Sequence, residues 1–134
     1  MSKKQVRELA KYWKKSAERS WQAALSLFKS KHYDACLFFC HLAIEKMIKA
    51  TVIEKTGKVA PFIHDLEKLA HLANISLVGE TAKILREITN FNVAGRYEDA
   101  KYSFYKKCTK SYTGKNLQVC KDIFLWLKKE YPKK

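Results

Sequence analysis

Glycine and proline are scarce in this chain, at 4 and 2 of 134 residues. An all-β fold needs both at its many tight turns, so the shortage argues against sandwiches and barrels and for long, uninterrupted helices. No C-x-x-C pair occurs among Cys36, Cys40, Cys108 and Cys120, and no Cys/His set has zinc-finger spacing. A chain of this length buries a core of its own as one domain, residues 1–134, without a disulfide or metal staple. Cys36 and Cys40 sit in an apolar run, where thiols behave as small hydrophobes and fit a reducing compartment. His32 and His41 lie nearby but out of helical phase with both thiols, so no metal ligands are assigned. The apolar stretch "ACLFFCHLAI" is too short for a bilayer and runs straight into Glu45 and Lys46. "MSKKQVRELAKYWKK" lacks the apolar centre of a signal peptide. The expectation is a soluble cytoplasmic protein with no cofactor.

Charge of one sign is abundant. Lysine and arginine number 27 against 13 acidic residues, a net charge of +14. Residues 1–31 carry 9 basic and 2 acidic side chains, residues 32–95 carry 7 of each, and residues 96–134 carry 11 and 4. The excess therefore sits at the two ends around a neutral middle. If the ends pack side by side, they form a basic face suited to a polyanion; the plain alternative is a solvated, lysine-rich surface.

Apolar residues recur at helical steps, and no strand pattern appears. Val6, Leu9, Ala10, Trp13, Ala17, Ser20, Ala24, Leu27 and Phe28 predict a first helix from Lys4 to Ser30, with Trp21 and Leu25 widening its stripe. "KSKHYDA" is a hinge. A second helix over Tyr33–Thr56 is apolar on most faces, so it is either the centre of a bundle or part of a subunit interface. Its polar residues Asp34, His41, Glu45 and Lys49 fall on one line. That line is expected to face solvent, the alternative being a cleft, with Glu45 and Lys49 as an i,i+4 ion pair. Gly57 stops the helix, and Pro61 keeps "KVAPFI" in a loop. Asp65 is placed to cap a short third helix to Ala73. A fourth runs from Glu80 to Phe91 with Ala82, Leu85, Ile88 and Thr89 inward. Asn92 and Gly95 in "TNFNVAGRYEDA" offer left-handed stop chemistry before Arg96 and Tyr97. Residues 98–113 give one or two helical turns and a loop. A last helix, Tyr112–Tyr131, has Leu117, Cys120, Phe124, Leu127 and Tyr131 as its seam.

The order "YDACLFFCHLAIEKMIKATVIEKTG", "HDLEKLA", "NFNVAGRYEDA", then a Lys- and Tyr-rich stretch before a Trp-containing final helix, resembles the HEPN domain family (higher eukaryotes and prokaryotes nucleotide-binding). The likeness covers about residues 5–130. It implies an all-α, up-and-down bundle of four to five helices, usually a homodimer, here through the second helix. It also implies, for many members, pairing with a minimal nucleotidyltransferase in a toxin–antitoxin-like system, and for some, nucleotide binding. Other members are metal-independent ribonucleases with an Arg followed after four to six residues by a His. This chain departs from that pattern: no His follows Arg86 or Arg96, and none stands at that distance after Arg7 or Arg19. Without the imidazole, the general acid–base at neutral pH is missing, and Tyr102 is a poor substitute. No catalytic residue is therefore assigned. A ribonuclease with an altered site and a purely structural dimerisation module remain as alternatives.

Six residues are candidates for holding a nucleotide or RNA. Arg96 and Tyr97 match the family's Arg-Tyr; a guanidinium grips phosphate in a bidentate fork, and a phenol ring stacks on a base. His64, with Asp65, matches the His-Asp-Leu before the third helix, and Lys46, after Glu45, matches the Glu-Lys of the long helix. Lys101 and Lys106 interleave with Tyr102, Phe104, Tyr105 and Tyr112, the mixture that single-strand binding uses.

Overall fold

A computed structural model describes residues 1–133. Among the described residues there are six helices and no strand: α1 Lys3–Lys29, α2 Tyr33–Thr56, α3 Leu66–Leu72, α4 Thr81–Thr89, α5 Glu98–Lys107 and α6 Lys110–Glu130. Among the described residues no helix is long and apolar enough to cross a membrane.

Helix α2 is the axis. Cys36, Leu37, Cys40, Ala43, Ile44, Met47, Ile48 and Ile53 are fully buried over most of its circumference. The helix is the centre of the bundle, and Ala35, Phe38, Phe39 and Leu42 stay only partly buried along one edge. Helix α1 lies along α2 and buries Ala10, Ala17 and Ala24 completely. These small side chains recur every seven residues, the repeat that keeps one seam facing an antiparallel neighbour, and they let the two backbones approach closely. Ser2 starts α1 with a reciprocal capping box: its Oγ accepts the Gln5 N–H at 3.1 Å, and Gln5 accepts the Ser2 N–H at 2.8 Å. The chain reverses at Lys31, whose φ of 66° is left-handed.

Helix α6 covers another flank of α2. Trp21 of α1 packs its ring against Phe124 of α6, 5.2 Å between centroids. Lys128 meets Glu18 at 2.7 Å, and the Lys14 ammonium stands 4.6 Å over the Tyr131 ring. The two basic ends of the chain thus adjoin along the bundle. Gly57 ends α2 at φ 71°, as expected of a left-handed stop, and Asp65 caps α3 by accepting the Lys68 N–H at 3.1 Å.

Two local expectations are corrected. The turn after α4 does not use left-handed geometry at Gly95; tight i→i+3 bonds from Phe91 to Ile88 and from Asn92 to Thr89 close the helix instead. Within residues 98–113, Glu98–Lys107 form the ten-residue α5, and α6 begins at Lys110, two residues early, because Thr109 accepts the Tyr112 N–H at 3.2 Å and caps it.

Two substitutions test this packing by urea denaturation. Phe124→Ala should cost about 3–5 kcal/mol by opening a cavity beside Trp21. Gly114→Ala, whose new Cβ would meet Phe28 at an ordinary 3.6 Å, should stabilise α6. The gain expected from helix propensity is about 0.5–1 kcal/mol.

Candidate functional site

The ends of α4, α5 and α6 surround a cleft of about 600 Å³. Ala100, Ser103, Phe104 and Lys107 line one wall; they fall at helical i, i+3, i+4 and i+7 steps on a single face of α5. Glu87, Asn90 and Phe91 come from the end of α4, Arg96 from the turn, and Tyr112 and Asn116 from the start of α6. Phe91 and Phe104 lie 5.9 Å apart by ring centroid, and the Lys107 ammonium stands 5.3 Å over the Tyr112 ring. Asn116 donates from its amide to the Tyr112 carbonyl at 2.9 Å. Among the described residues Arg96 makes no ion pair, so its guanidinium is available to an anion. Two cations beside aromatic rings, one of them Lys107 over Tyr112, with amides and a hydroxyl at the edge and one carboxylate in Glu87, suit a small ligand that has both a π-system and a negative charge.

Of the six candidate residues, Arg96 alone lines this cleft. Tyr97 is its neighbour in sequence but stands at the N-cap of α5, 91% exposed. Lys101 pairs with Glu98 at 3.6 Å, and the Lys106 ammonium lies 4.7 Å over the Tyr102 ring, both outside the cleft lining. Lys46 faces α1 and donates to Ser20 Oγ at 2.9 Å. Burial lowers its pKa, Glu45 opposes that shift, and Arg19 adds to it. Lys107, Phe104 and Tyr112 are not singled out in the sequence, although Phe104 and Lys107 share an i, i+3, i+4, i+7 face with Ala100 and Ser103.

His64 belongs to a different constellation, and it corrects the expected solvent-facing line. His41 is fully buried, Glu45 is 4% exposed and Lys49 3% exposed. The loop before α3 closes over them. Glu45 Oε1 accepts from His64 Nδ1 at 2.9 Å, and Glu45 Oε2 accepts from Lys49 Nζ at 3.0 Å. The Lys49 ammonium also lies 5.5 Å from the Trp13 ring and 5.7 Å from Phe62. His41 donates from Nε2 to the His64 carbonyl at 3.2 Å, and its Nδ1 is buried with no partner. Glu45 and Lys49 form the expected i,i+4 pair, but in the interior, where it is held by several partners. The carboxylate fixes the His64 ring with Nε2 left for solvent, the arrangement of an oriented base. Arg96 has no contact with it and lines the other site.

All four thiols are buried. Hydrogen bonding to Cys40 and then burial push the Cys36 thiol far up; hydrogen bonding to Cys120 does the same for Cys40. Burial first raises Cys108 to about 11. Among the described residues no group of His, Cys, Asp and Glu is arranged to hold a metal ion.

Removing Glu45 strands a buried ammonium, so Glu45→Ala should lose about 3–5 kcal/mol in urea titration. A pH dependence follows from His41, whose pKa burial lowers against the opposing pull of Glu45 and the His64 carbonyl. The unfolded chain takes up this proton near pH 6.5 and the folded one only below that. Stability should therefore fall as pH drops below about 6.5 and be fully present above it. His41→Gln, which keeps a donor for the His64 carbonyl, should show a shallower loss between pH 7.5 and 5.

Comparison with curated proteins and with solved structures returns no match. The HEPN domain family, by contrast, matches residues 10–131, nearly the whole chain, with all of α2 to α6 and most of α1. The central apolar helix, the His-Asp start of α3 and the Arg-Tyr turn after α4 all lie within that match, and the chain belongs to the HEPN domain family.

Proposed function

We propose that this HEPN domain is a non-catalytic module that binds a nucleotide or RNA in the cleft between α4, α5 and α6. One observation carries the reading: an unpaired Arg96 and Lys107 share a concave site with Phe91, Phe104 and Tyr112. The guanidinium suits a phosphate, and the rings suit a base or sugar. The adjoining basic helices α1 and α6 supply a field that draws an anion in. The absence of a His after Arg96, and the placement of His64 outside the Arg96 cleft, favour binding over cleavage. The half-exposed edge of α2, with Phe38, Phe39 and Leu42, supports a homodimer through that helix. Family membership supports a nucleotidyltransferase partner in a toxin–antitoxin-like pair, and four free thiols support a reducing cytoplasm.

Fluorescence anisotropy with labelled RNA and a labelled mononucleotide tests the binding. Affinity should fall steeply with salt as counterions are released. Arg96→Ala should weaken it about 10- to 100-fold, the scale of one charge-assisted hydrogen-bond pair. Salt-independent binding, or an Arg96→Ala protein equal to wild type, would remove the proposal. Cleavage of the RNA in the presence of chelator, abolished by Arg96→Ala, would replace it with the ribonuclease alternative.

A further inference from the structure

Helix α5 has two faces, and only one lines the cleft. At 100° per residue, Tyr102 and Tyr105 lie on the side opposite Ala100, Ser103, Phe104 and Lys107. Both tyrosines are largely exposed, at 60% and 61%. Their ring planes are within 18° of parallel, 6.4 Å apart by centroid. The Lys106 ammonium stands 4.7 Å over Tyr102. Beyond Tyr105, a groove of about 340 Å³ continues to the hinge between α1 and α2, lined by Lys31, Tyr33, Asp34, Tyr105, Lys106 and Cys108.

Folding does not ask for these rings. Helix α5 contains no buried residue, and Tyr is a poorer helix former than Ala, Lys or Glu at an exposed position. Lys31, which reaches the same groove, holds a left-handed backbone at φ 66° that a side chain rarely adopts. Over residues 96–134 the charge is 11 basic against 4 acidic side chains, so the partner is an anion. An anion that also uses near-parallel aromatic faces is a polynucleotide with unpaired bases. A duplex hides those faces, and RNA is the nucleic acid that commonly displays them.

We propose that Tyr102 and Tyr105 form a stacking platform for successive bases of single-stranded RNA, with Lys106 and Lys31 contacting its phosphates. The proposal rests on the nucleotide- or RNA-binding reading above and names its ligand: a strand that engages the Arg96 cleft on one side of α5 and the tyrosine pair on the other. Glu98 on the tyrosine side is paired with Lys101, and Asp34 limits the groove to the phosphates nearest the lysines.

The test uses the intact protein, a labelled single-stranded RNA of about 12 nucleotides, within the site sizes known for such surfaces, and a labelled mononucleotide. The Tyr102→Ala/Tyr105→Ala protein should keep the wild-type circular dichroism and mononucleotide affinity. Its RNA affinity should drop about tenfold per ring, the scale of base–aromatic stacking. The Tyr102→Phe/Tyr105→Phe protein should bind RNA like wild type, because the π-faces remain. A double-Ala protein within about twofold of wild type for RNA overturns the platform, as does loss of binding in the double-Phe protein, against the scale of base stacking. Equal affinity for a duplex of the same sequence overturns it too, and preference for single-stranded DNA overturns the RNA assignment. Arg96→Ala separates the two ideas: if it leaves mononucleotide binding intact, the cleft reading fails, whatever the tyrosine variants do.

Discussion

The apolar girth of α2 sets the terms for every other element. A helix that is hydrophobic on all sides leaves water only if neighbours cover it on all sides. Helix α1 does so along its length by presenting alanines at seven-residue steps, and α6 adds the Phe124 ring that meets Trp21. The short α3 and α4 close what remains with Leu66, Leu69, Leu85 and Ile88. Thr89 ties these two helices by accepting the Leu66 N–H at 3.2 Å.

The same constraint explains the interior polar cluster. His41, Glu45 and Lys49 belong to a helix that has almost no solvent-facing side, so their charges must be satisfied inside. A buried carboxylate left alone would be costly, and here it accepts from Lys49 and His64. This pins the loop before α3 onto α2 and so fixes where α3 and α4 begin. The position of the Arg96 turn at the far end of α4 follows from that anchoring.

Helix α5 is the exception, a peripheral helix bordering the Arg96 cleft. It buries no residue completely; Phe104 on its inner face packs against the core, and its outer face carries no core residue. Its inner face completes the cleft with Arg96, and its outer face shows tyrosines and lysines. A rigid core beneath a peripheral helix is a sensible division, since sites held by a stiff scaffold lose less order on binding. Helices α1 and α6, which meet at Trp21–Phe124 and Glu18–Lys128, carry much of the chain's excess positive charge, whose attraction for anions weakens as salt screens it.

Local chemistry was readable from the residues. Periodicity located the long helices, Gly57 and Asp65 marked a stop and a start, and the scarcity of glycine and proline ruled out a sheet fold. The Ser2–Gln5 capping box was present as a pattern but went unread. The resemblance to the HEPN family, carried by motif order, pointed to the Arg96 turn. What the sequence by itself determined is what depends on neighbours three or four residues apart: which segments are helical, which faces are apolar and where the charge is dense. Only the tertiary structure decided that the line through His41, Glu45 and Lys49 is roofed by a loop, that His64 belongs with Glu45 and not with Arg96, and that Lys107 and Tyr112 converge on Arg96. Those outcomes depend on how helices distant in the chain are laid against one another, and a one-dimensional pattern gives the face a residue occupies but not the element that will cover it.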